Sequence, residues 1–146
     1  MPLPKSSKIS FISENSDFKL KNKTLFKEWI NSVILKEKKI LGGEINFVFC
    51  NDEYLLSLNE QFLKHDTFTD IITFDYTENG VIAGDVVISI DRVKENAEKF
   101  EVAFEVELKR IIIHGILHLI GYKDKNEKDK VEMTSKEDFY IKEFVV

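Results

Sequence analysis

An α+β fold, with about four strands in a mixed sheet covered by helices, is what this sequence predicts. Strand-like and helix-like stretches alternate over the first half of the chain, and the hairpin signal Asn79-Gly80 separates two apolar runs. The remainder reads as helix after helix. The 146 residues suit one domain, taken as 1–146, and 43 % apolar residues with 12 Phe furnish a core that needs no staples.

The elements follow in order. KISFIS (8–13) alternates over a short span and reads as a strand. Over residues 24–35, Leu25, Phe26, Trp29, Ile30, Val33 and Ile34 recur at helical spacing behind Thr24 as candidate cap, and Gly42-Gly43 stops the chain beyond. INFVFC (45–50) is a continuous apolar run between breakers, which suits a buried strand. Asn51 or Asp52 is placed to cap a short helix with Leu55, Leu58 and Phe62 on one face. The polar loop KHDTFT (64–69) leads to the strand DIITFDY (70–76), and DVVISI (85–90) returns antiparallel to it. A helix opening at Asp91, a longer one from about 101 to 120 and a charged one over 126–143 complete the order β-α-β-α-β-β-α-α-α.

Composition excludes several classes. Cys50 is the lone cysteine and lies inside an apolar run, so it forms no internal disulfide and behaves as a small hydrophobe. The start MPLPKSSKIS lacks the ~7–15-residue apolar core of an export signal, and no run approaches the ~20 apolar residues of a membrane helix. A cytoplasmic protein with no membrane partner is expected. A net charge of −5 argues against a general nucleic-acid binder. No motif speaks to the oligomeric state.

The chemistry lies in RIIIHGILHLIGYKDK (110–125). On a helix, residues four apart share a face, so His114 and His118 aim two imidazoles at one spot, where a divalent ion is their usual guest. Gly121 follows three residues later and is suited to a left-handed helix end that turns the chain back. Asp124 stands three residues beyond, placed to return as a third ligand. Two histidines and a carboxylate suit one divalent ion: zinc first, with Mn, Fe or Ni as alternatives. Zincin proteases carry glutamate directly after the first histidine as their base, and here that position is Gly115, which argues against peptide hydrolysis.

HGILHLIGYKD resembles the motif H-G-x-L-H-L-x-G-Y-D-H of the YbeY family through Tyr122. LNEQF (58–62), TDIITF (69–74) and GDVVIS (84–89) resemble three further family motifs, and with Glu107-Leu108 the resemblance covers about residues 45 to 140. It implies a metal-dependent endoribonuclease of ribosomal RNA maturation and ribosome quality control, with ribosomal RNA and the ribosomal subunit as partners. It also implies a site in a cleft under the 63–69 loop. The rival reading is a ribosome-assembly binding factor with a weak or structural metal site. Two departures stand out. Asp124 occupies the place of the family's third histidine ligand, and Leu63 that of an arginine. Lys64 and His65 follow at once and offer replacement charge, so they join His114 as candidate catalytic residues. Lys94, Lys99, Lys109 and Arg110 are candidates for a positive face.

Gly121 is accordingly expected at positive φ. Gly121→Val should lower stability by more than the ~1 kcal/mol of helix propensity, because a β-branched residue resists that conformation. Chemical denaturation of the two proteins measures the difference.

Overall fold

The computed structural model describes residues 6–63 and 69–144, the side chain of residue 63 excepted. Among the described residues, four strands form one mixed sheet in the order β1-β2-β4-β3. Strand β1 (Lys8–Ser13) pairs parallel with β2 (Glu44–Cys50), and β2 pairs parallel with β4 (Gly84–Ser89). Strand β3 (Ile71–Asp75) pairs antiparallel with β4 at the edge. The hairpin between them turns at Asn79 and Gly80, both at positive φ (53° and 79°), as the dipeptide predicts.

The strands sort their side chains by alternation. Ile45, Phe47 and Phe49 of β2 and Val86 and Ile88 of β4 point to one face, into the main core. That face is covered by α1 (Lys23–Lys36), α3 (Ile90–Lys99), α4 (Phe104–Ile120) and α5 (Glu127–Glu143). Val87, Ile72 and Cys50 point to the other face, a small cluster under α2 (Asp52–Leu58). A π-helical turn, Asn59–Leu63, continues α2, and among the described residues Ile12 and Tyr76 on this face are exposed. The expected four-stranded mixed sheet covered by helices is what forms.

Caps set the helix boundaries. Asn51 caps α2 by accepting from the Tyr54 amide, Ser89 caps α3 from the Arg92 amide, and Asn126 caps α5 from the Asp129 amide. The expected cap Thr24 lies inside α1 instead. Asn22, left-handed at φ 60°, starts that helix with its backbone carbonyl, which accepts from the Phe26 amide. Burial lifts the Cys50 thiol to about 12, in keeping with a core cysteine.

Helix α4 is the central piece of the main core. Ile112, Ile113, Ile116 and Leu117 are fully buried, and Gly115 lies directly on the sheet. A Cβ added at Gly115 would stand 2.8 Å from Val86 Cγ1 and 3.2 Å from Ile71 Cδ1. Gly115→Ala gains up to ~1 kcal/mol of helix propensity. Overpacking a tight contact costs ~1–3 kcal/mol, so the net expectation is a loss of about 1 kcal/mol. A urea midpoint that falls with the slope unchanged is the expected result, and an unchanged or raised midpoint refutes the close contact.

Candidate active site

The stripe of α4 that turns away from the core lines a cleft of about 380 Å³. Glu107, Arg110, Ile111, His114 and His118 reach it at helical spacing. Thr69, Asp70, Ile71 and Thr73 form the wall at β3, while Asp124 and Glu137 close it from the turn after α4 and from α5.

Helix α4 ends as the spacing predicts. Gly121 has φ 126° and ψ 0°, its amide bonds the carbonyls of Leu117 and His118, and the Tyr122 amide returns to Leu117 at 3.0 Å. The reversal carries Asp124 back until its Oδ2 lies 3.4 Å from His114 Nε2. Two donors each ~2.0–2.1 Å from one tetrahedral ion stand roughly 3.3 Å apart, so this pair is spaced as shared ligands are. His118 lines the same cleft with its side chain exposed. Among the described residues no three His, Cys, Asp or Glu side chains already converge as a finished ligand set.

His114 is held from behind. Its Nδ1 is 2.6 Å from Glu137 Oε2, and Glu137 also accepts from Arg110 at 3.0 Å. Arg110 reaches on to Asp138 at 2.6 Å. With its proton on Nδ1, His114 donates to Glu137 and leaves Nε2 free toward the cleft. Burial alone disfavours the imidazolium, but the hydrogen bond and charge of Glu137, joined by Asp124 and Asp70, outweigh it and lift His114 above the ordinary histidine range. Burial likewise holds Asp70 and Glu107 above the ordinary carboxylate range, against the pull of His114 and Arg110 respectively.

Three of these groups carry no assigned role from sequence: Asp70, Glu107 and Glu137. Glu137 had a legible signal, since it falls on the buried stripe Met133, Glu137, Tyr140 of an otherwise charged helix. The expected basic face does not form as a unit. Of its four members only Arg110 lines the cleft, and it is paired to two carboxylates. Lys109 Nζ sits 4.2 Å over the Phe144 ring, because successive helix positions face different ways, and Lys99, on α3, has its Nζ 5.6 Å over the Phe100 ring. Lys64 and His65 lie outside the described residues.

The family model described as Endoribonuclease YbeY matches residues 8–145. The chain belongs to the YbeY family. Endoribonuclease YbeY of Flavobacterium psychrophilum is 54 % identical over 130 residues, covering 89 % of this chain and 92 % of that one. Endoribonuclease YbeY of Porphyromonas gingivalis is 44 % identical, with 90 % and 87 % covered. The solution structure of TM1509 from Thermotoga maritima matches with a TM-score of 0.66 at 33 % identity, covering 93 % of this chain and 88 % of that one. Membership in YbeY places the chain among nucleases, the hydrolase class expected from its motifs, and the four-stranded sheet with its helices is the fold expected with it.

Removing the Glu137 charge should lower the His114 pKa, since that charge is part of what raises it. An NMR titration of Glu137→Gln against the parent protein should show His114 titrating at lower pH. Above its titration the parent's neutral ring should carry its proton on Nδ1. A ring protonated on Nε2, or a pKa that does not move, overturns the assigned hydrogen bond.

Proposed function

We propose that the chain is a divalent-metal-dependent endoribonuclease acting on ribosomal RNA, with His114, His118 and Asp124 holding the ion. The observation that carries this reading is the wiring of His114, with Glu137 behind one ring nitrogen and Asp124 3.4 Å from the other. A buried carboxylate on the far nitrogen fixes the tautomer and aim of a ligating imidazole. The donor chemistry fits a divalent ion, zinc as the proposed occupant and Mn, Fe or Ni as alternatives, and rotation of the exposed His118 completes the set.

The charge of the cleft supports the same reading. Among the described residues, Asp70, Glu107, Asp124 and Glu137 face one guanidinium, Arg110, which is itself paired. A phosphodiester would be repelled there without a cation. A bound divalent ion supplies that charge, polarises a phosphoryl oxygen and lowers the pKa of water. The chain's own residues orient and neutralise: Glu137 fixes His114, Arg110 holds Glu137, and Lys64 and His65 offset charge growing on the scissile phosphate in place of an arginine at Leu63. Gly115 leaves no base beside the first histidine, and its contact with Val86 leaves no room for one. Peptidase activity is not part of the proposal. A cytoplasmic location goes with the ribosomal substrate.

The test is a labelled ribosomal RNA fragment incubated with nuclease-free protein, with zinc or manganese and with chelator. Cleavage should require the metal and vanish in His114→Ala, whose fold survives because the core contacts of α4 come from its isoleucines and leucines. Leu63→Arg should raise the rate if missing charge limits it. Cleavage that persists in His114→Ala would refute the assignment of the site. No cleavage with any metal, together with tight binding to ribosomal subunits, would establish the assembly-factor reading instead.

A further inference from the structure

We propose that Glu37 is a positioning residue for Asp124, clamping through Tyr122 the turn that sets this carboxylate against His114. The proposal rests on the metal reading above and adds what holds the third ligand in place.

Glu37 sits at the C-terminal end of α1, where the helix dipole disfavours a carboxylate. Its side chain is nonetheless only 9 % exposed and is met by three donors. The Tyr122 hydroxyl donates to Oε1 at 2.6 Å, Lys136 Nζ to Oε2 at 3.1 Å, and the Tyr140 hydroxyl to the same Oε2. Burial by itself raises the Glu37 pKa, and the donors Tyr122, Tyr140 and Lys136 more than reverse this, so the charged acceptor is the favoured form.

Tyr122 is the first side chain after the Gly121 reversal and lies two residues before Asp124. The segment is next tied down at Asn126, whose side chain caps α5. Asp124 thus hangs midway between two anchors. It is itself half-exposed, and among the described residues it has no hydrogen-bond or ion-pair partner other than His114. Helix α5 supplies both ends of the arrangement. Glu137 reaches His114, while Lys136 and Tyr140 reach Glu37. The clamp and the histidine's support therefore share one rigid element. A purely structural cluster would only satisfy the hydroxyls of the buried Tyr140 and the half-buried Tyr122. This one also fixes Tyr122, the first of the two side chains between the helix end and the carboxylate.

The experiment measures zinc affinity by chelator competition on the full chain, with the melting temperature recorded for every variant. Tyr122→Phe should bind zinc roughly tenfold more weakly, the low end of what outer-shell changes do. Asp124→Ala should bind more weakly still, and the Tyr122→Phe/Asp124→Ala double variant no more weakly than Asp124→Ala alone. Tyr140→Phe removes a hydroxyl from the same carboxylate without touching the turn, so it should lower stability and leave affinity unchanged. Glu37→Gln keeps the side-chain volume and one acceptor oxygen, and provides a second, milder loss should Tyr122→Phe fold poorly. Unchanged affinity in both Tyr122→Phe and Glu37→Gln overturns this proposal alone. So does the same tenfold loss on top of Asp124→Ala, or an equal loss in Tyr140→Phe. A parent protein that takes up no divalent ion overturns the metal reading and this proposal with it.

Discussion

Helix α4 meets the Val86 and Ile71 side chains of the sheet at Gly115 with no side chain of its own, and that contact sets where everything else in the cleft points. A helix pressed this closely onto Val86 can neither roll nor slide without a clash. The burial of Ile112, Ile113, Ile116 and Leu117, each contributing about 1.5–3 kcal/mol, fixes the same orientation energetically. With the inward face settled, the helical period settles the outward one. Glu107, Arg110, His114 and His118 are carried to the cleft as a consequence of core packing, and the cleft residues themselves add little to it.

The same economy governs the charges. Four carboxylates in one small cleft repel one another, and burial pushes Asp70 and Glu107 toward their protonated forms. Arg110 and the His114 ring relieve part of this. Glu137 shows how: it is nearly buried, yet it lies between Arg110 and His114, so its charge is shared by two donors. Among the described residues the remaining imbalance is negative. In a nuclease, whose substrate is a polyanion, such an imbalance has a use only when a cation joins the site, and the charge pattern and the proposed ligand set therefore argue for the same occupant.

Much of this was legible in the sequence, for identifiable reasons. The hairpin at Asn79-Gly80 was readable because that dipeptide specifies two left-handed residues, and the structure supplies both. The end of α4 is readable because a glycine directly after a buried helical run has few other uses. Thr24 misled because cap propensity is local, whereas the start of α1 is set by Asn22 in a left-handed turn that no period reveals. Glu137 was passed over because its helix is charged throughout, and only the coincidence of one glutamate with the Met133–Tyr140 stripe marks it as buried. The lysines expected on one positive face were misjudged for the opposite reason. Neighbours in sequence on a helix are not neighbours in direction, and Lys109 turns to Phe144 while Arg110 turns to the cleft.

The departure at Asp124 brings these strands together. A carboxylate is shorter than an imidazole, so its backbone has to approach the histidines more closely than a third histidine would require. The reversal at Gly121 and the anchor at Tyr122, positions the chain shares with the family motif, leave the carboxylate 3.4 Å from His114 Nε2. A carboxylate also brings a negative charge that a neutral imidazole does not. On the proposed ligand set this hardens the donors and widens the range of divalent ions they accept, toward Mn and Fe beside zinc. It also offsets part of the ion's charge, so less remains to draw in a phosphodiester. A cation close to the substrate then matters more, which is the physical reason to look to Lys64 and His65 beside Leu63, where the resemblance implies an arginine.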